Sequence, residues 1–175
     1  MAPGLRKLAL TAHVACSVGW LGAVAAFLAL AIAGLSSQVA PVVRSAYLAM
    51  DLTAWFVIVP LCFASLLTGL VQSLGTTWGL LRHYWVLAKL LITIVATIVL
   101  LLHMQPITQM AVVATDAALS SADLRRVRVQ LVADASAALL ALLAATTLSV
   151  YKPPGMTPYG QHRAHERGTL SQPET

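Results

Sequence analysis

LALTAHVACSVGWLGAVAAFLALAIAGLSSQVAPVV, residues 8–43, contains no Asp, Glu, Lys or Arg. A bilayer's hydrocarbon core of ~30 Å takes ~20 helical residues to cross, and every backbone polar group inside it must be satisfied within the segment. This stretch meets both demands as a helix. Residues 52–81, 90–115 and 135–151 are equally free of those four residue types. The chain therefore reads as an all-α, four-helix transmembrane bundle over residues 1–152, with spans at about 8–35, 48–73, 83–105 and 131–151.

Composition agrees with the spans. Of 175 residues, 59% are apolar and 10% charged, against roughly 25% charged in an ordinary soluble domain. Four spans leave room for one bundle and no separate soluble domain. The net charge of +5 does not point to nucleic acid, because the basic residues sit at the ends of apolar runs instead of forming a patch. Their placement is a topology signal. Arg6, Lys7, Arg82, Lys152, Arg163 and Arg167 fall on one side. Arg44, Arg125, Arg126 and Arg128 fall on the other, mixed with Asp51, Asp116, Asp123 and Asp134. This bias predicts cytoplasmic termini and a plasma (inner) membrane location. Arg6 and Lys7 before an apolar run also resemble a signal peptide, but the run far exceeds the ~7 to 15 residues of a secretory apolar core, which predicts a retained helix. Cys16 and Cys62 both lie inside spans and read as small apolar packing residues.

Between the spans, Ser36, Ser37, Gln38 and Pro41 predict an external turn, with residues 42–47 beginning the second helix. Pro60, in the middle of that helix, removes one backbone hydrogen bond and predicts a kink. Residues 75–79 predict a short inner loop, with Trp78, Tyr84 and Trp85 at headgroup depth. Pro106 is expected to end the third helix or open the next element. Residues 107–119 read as an external interfacial helix. Ser121 and Asp123 suit a helix start, giving a last helix from Ala122 to Tyr151. Pro153, Pro154 and Gly155 stop it, and residues 153–175 read as a disordered cytoplasmic tail.

Ionisable groups inside spans are costly and carry whatever functional signal the chain holds. At ~1.5 Å per residue they fall into two layers. The inner one contains His13, Cys16, Ser17, Thr68, Lys89, Thr146 and Ser149. The outer one contains Asp51, His103 and Asp134, with Tyr47 and Arg44 above. Lys89 either extends its stem toward the inner headgroups, meets an anionic substrate group or serves as a proton-carrying site. His13 reads as a haem or metal ligand, a proton relay, or a neutral imidazole bonded to a carbonyl, the last being the default. His13 and His103 differ in depth by ~20 Å if their helices run in the same direction, which speaks against a shared haem iron. Asp51, His103 and Asp134 read as a metal or proton site. In the plainer alternative, Asp51 opens its helix, Asp134 pairs with an Arg and His103 bonds locally.

The run from Thr68 to Lys89, TGLVQSLGTTWGLLRHYWVLAK, resembles uncharacterised small membrane proteins of actinobacteria. Leu101 to Pro106 and Leu148 to Pro153 resemble the same group. The likeness covers nearly the whole chain and implies an integral membrane fold and location. A looser similarity, through the histidine-bearing first helix and the Gly and Trp after it, points to the copper-resistance D and cytochrome b561-like membrane families. Their paired haem histidines have no clean counterpart here, and there is no Met-rich copper tract.

These observations order the function classes. A non-enzymatic membrane module, whether partner subunit, sensor or envelope factor, comes first. A small ion-coupled transporter acting as an oligomer is the alternative, and a haem- or metal-binding redox protein the third. No glycine-rich phosphate loop or nucleophile motif supports an enzyme. The expected partners are the lipid bilayer and a second copy or another membrane protein.

Overall fold

The computed structural model describes residues 2–75, 83–115 and 122–151, together with 155, 157, 158 and 161; the side chains of 113–115 and 122–124 are not described. Four helices long and apolar enough to cross a membrane make up the fold. They are α1 (Pro3–Ser36), α2 (Ala40–Gly75), α3 (Tyr84–Thr115) and α4 (Ala122–Tyr151). At 1.5 Å per residue each is longer than a ~30 Å core, so the ends project beyond it or the helices tilt.

Helix α1 packs against α2 and α4, α2 against α3, and α3 against α4. The four form a closed ring in which α1 lies diagonally across from α3. Side-chain pairings give the direction of each helix. Between α1 and α2, His13 meets Thr68 while Gly34 meets Tyr47. Between α2 and α3, Asp51 meets Thr108 and Cys62 meets Thr97. Between α3 and α4, Lys89 meets Ser149 and His103 meets Asp134. In every seam the numbers rise on one helix as they fall on the other. All neighbours are antiparallel, and both ends of the bundle's chain, the start of α1 and the end of α4, lie at one end, called here the terminal end. The core follows the same axis: Trp20, Val24, Phe27 and Ala31 from α1, Tyr47, Met50, Ile58 and Cys62 from α2, Met104 and Met110 from α3, and Leu131 and Leu142 from α4.

Proline is handled differently in the two helices that carry one far from their ends. In α2 the expected disturbance near Pro60 is a π turn over Ala54–Ile58, just before the ring. The Val59 N–H reaches back five residues to the Ala54 carbonyl. Widening the turn reassigns the carbonyls ahead of a residue that has no N–H to give. In α3 the sequence expectation fails. The helix passes through Pro106 and continues to Thr115, so residues 107–115 extend the third span rather than forming a separate interfacial helix. A proline inside a membrane helix is tolerated because packed neighbours compensate for the lost bond, and here Met104, Ile107, Met110 and Ala111 are buried on both sides of the ring. The rest of the predicted interfacial segment, 116–119, lies outside the described residues.

The turn between α1 and α2 is tight, with Val39 N–H bonded to Ser37 Oγ and Val42 and Val43 N–H bonded to the Val39 carbonyl. The last helix begins at Ala122 as expected, while its predicted Ser121 cap falls outside the described residues. So do Trp78, Arg82 and nearly all of the predicted tail. At the described tail positions Thr157 is buried and its carbonyl accepts from the Gln161 N–H.

Candidate functional site: polar seams between the helices

Hydroxyl side chains inside apolar helices first satisfy themselves. Thr93, Thr97, Ser136, Thr146 and Ser149 each donate to the carbonyl four residues back, which leaves the oxygen free to accept from a neighbouring helix. Ser149 accepts from Lys89 in this way, and Thr97 Oγ1 lies 3.0 Å from Cys62 Sγ.

At the α1–α2 seam, His13 Nδ1 lies 3.1 Å from both the Ser65 carbonyl oxygen and Thr68 Oγ1. Thr68 in turn donates to the Ala64 carbonyl at 2.6 Å. One helical turn further along α1, Ser17 and Ser65 hydroxyls pair at 2.8 Å. The carbonyl-bonded imidazole expected as the default reading is what is found. Gly69 makes room for it: a Cβ there would sit 3.0 Å from His13 Cε1.

On the same level, at the α3–α4 seam, Lys89 Nζ donates to Ser149 Oγ at 2.9 Å and lies 4.9 Å from the Trp85 ring centre. Trp85 is one turn nearer the terminal end, so the stem leans toward that end while the ammonium is held by a hydroxyl and an aromatic face. The predicted inner layer thus exists as a level of the bundle. Thr146 donates to the Leu142 carbonyl of its own helix.

The predicted outer set divides. Asp51 Oδ1 accepts from Thr108 Oγ1 at 2.8 Å across the α2–α3 seam, with Trp55 Nε1 reaching the same hydroxyl at 3.4 Å. His103 and Asp134 meet across the α3–α4 seam, Nε2 to Oδ2 at 2.9 Å, with Gln130 Nε2 3.3 Å from the same ring nitrogen. Thr108 lies five residues from His103, more than a third of a turn around α3, so the two clusters occupy different faces. Among the described residues no group of three or more His, Cys, Asp and Glu converges as a metal site would require. Asp134 pairs with His103 and not with an arginine, and Asp51 lies within its helix instead of opening it. Above both clusters, Tyr47 is buried with its ring 5.5 Å from the Arg128 guanidinium carbon.

His13 and His103 sit on diagonal, parallel helices. Their separation of 90 residues in sequence resolves into a depth difference of ~18 Å once the antiparallel register is followed through α2, so they cannot share a haem iron. Sequence reading missed Ser65, Thr97, Thr108 and Gln130. Thr108 was hidden by the expectation that Pro106 ends α3; with α3 continuous, simple depth counting places it opposite Asp51. Thr97 and Cys62, 3.0 Å apart, gave no signal, because lone Thr and Cys residues are ordinary in apolar helices. Comparison of the chain with protein-family models, with curated proteins and with solved structures found no match.

Proposed function

We propose that this chain is a non-enzymatic integral membrane module of the plasma membrane, with cytoplasmic termini, that works by associating laterally with a second copy or a partner subunit. The observation that carries this reading is how the bundle spends its polar and small residues. His13, Asp51, Lys89 and His103 each meet a polar side chain across a seam within the bundle. The outward face of α1 carries Ala15, Gly22, Ala25, Ala26 and Ala29, all exposed, and a Cβ at Gly22 would meet nothing within 4 Å. In lipid, helix association depends on close backbone approach, which such a face permits. The cytoplasmic orientation is supported by the excess of Lys and Arg at the terminal end. Subunit counting by single-molecule photobleaching in liposomes tests the proposal: oligomers that Gly22→Leu breaks into folded monomers support it, and monomers throughout exclude association through this face.

A second reading, an ion-coupled carrier, draws support from His13 and Lys89. Two ionisable groups occupy one level of the bundle on diagonal helices, His13 beside Thr68 and Lys89 beside Ser149. A flux in liposomes that Lys89→Met abolishes in a folded protein would favour it over the first.

A further inference from the structure

We infer that His103 and Asp134 form a proton-binding site, and that its occupancy decides whether the distal part of the α3–α4 seam stays closed. The argument starts from His103 Nδ1, 2.8 Å from the Val99 carbonyl oxygen. A carbonyl only accepts, so Nδ1 carries a hydrogen. In a neutral ring Nε2 is then a bare lone pair. That nitrogen lies 2.9 Å from Asp134 Oδ2, and two lone-pair atoms at this distance repel, strongly so when one belongs to a carboxylate in a poorly solvated seam. One proton removes the conflict. On Nε2 it makes an imidazolium beside the carboxylate, and turning the Gln130 amide brings an acceptor to the same N–H.

Two further observations fit. Asp134 Oδ2 is buried and has no hydrogen-bond partner among the described residues, so nothing else offsets its repulsion by an unprotonated Nε2. The pair is also not enclosed by the four helices: the side chains of His103 and Asp134 are 24% and 31% exposed on the lateral surface of the bundle. The other ionisable groups around it are accounted for. On α4, Arg128 and Arg126 lie six and eight residues toward the distal end, ~9 and ~12 Å away along the axis. On α2, Asp51 is engaged by Thr108 on another face of α3. Helix α1 contributes no charged residue between Leu8 and Ser36.

With the proton on Nε2 the seam is closed. Without it, the carboxylate and ring lone pair push α3 and α4 apart. Asp134→Asn carries its own N–H, which donates to the neutral Nε2, so it holds the seam closed without a titrating proton. The test places spin labels at Leu102 and Val129, which are exposed on α3 and α4 beside the pair, and reads their distance in liposomes from mildly acidic to mildly alkaline pH. The expected result is a longer distance population that grows at alkaline pH in the otherwise native protein and is absent in Asp134→Asn. A distance that ignores pH in the native background overturns the inference. So does a pH response that survives in Asp134→Asn, and loss of that surviving response in Asp51→Asn would assign it to the other cluster. Helical content measured by circular dichroism confirms that each variant is folded.

Discussion

Gly34→Ala tests the tightest contact in the bundle. A Cβ built at Gly34 lies 2.8 Å from Tyr47 Cζ and 3.0 Å from its Cε2 and hydroxyl oxygen. Carbon atoms pack best at ~3.5–4.0 Å, so the ring and the new methyl must separate by roughly 0.7–1.2 Å. Tyr47 is 1% exposed, with Arg128 over its ring, and cannot swing out of the way without moving a helix. Overpacking of this kind costs about 1–3 kcal/mol. Replacing a helical glycine with alanine also brings a gain of up to ~1 kcal/mol from backbone entropy, so the raw change understates the clash. Gly22→Ala, measured on the monomeric protein, supplies the reference, since it has the same chemistry on the same helix with nothing within 4 Å inside the bundle. The quantity to measure is the difference between the two variants in reversible unfolding in mixed micelles, followed by tryptophan fluorescence. Gly34→Ala should be less stable than Gly22→Ala by about 1–3 kcal/mol. Tyr47→Leu should recover part of that difference in the Gly34→Ala background by vacating the space. Equal stability of the two alanine variants would refute the claim that Gly34 is required by the Tyr47 ring.

Three other outcomes follow from the same geometry. A double-mutant cycle of His13→Leu and Thr68→Val, measured by the same unfolding assay, should give a coupling of about 0.6 kcal/mol, the average for hydrogen bonds between membrane helices, and no more than ~1.7 kcal/mol; additivity would mean the contact contributes nothing. Thiol labelling of the native protein in detergent should modify Cys16 faster than Cys62, which is 0% exposed and bonded to Thr97, while labelling in denaturant should reach both. Tyr47→Phe should leave stability unchanged or raise it, because the Tyr47 hydroxyl is buried with no hydrogen-bond partner and its removal relieves an unmet desolvation cost of about 1–3 kcal/mol; a loss of stability would mean that the hydroxyl is bonded in the bilayer.

The amino-acid sequence by itself determined the number of membrane-spanning helices, their order and the depth of the polar residues. Each of these depends on one-dimensional quantities: the length of an uncharged run measured against the thickness of a bilayer, and the constant rise of a helix. His13, Thr68, Lys89 and Ser149 were placed in one layer by counting alone, and they are found at one level. Only the tertiary structure decided how each helix is turned about its axis, and that rotation assigns the partners. It put Thr108 against Asp51 and Asp134 against His103, splitting a cluster that depth alone had joined. It also decided that Pro106 lies within α3. A proline's local preference to end a helix is worth a few kcal/mol, and burial of Met104, Ile107, Met110 and Ala111 around it outweighs that preference. Rotation is invisible in these helices because their apolar residues continue around the whole circumference: lipid and core are equally apolar, so no hydrophobic stripe marks the side that faces the bundle.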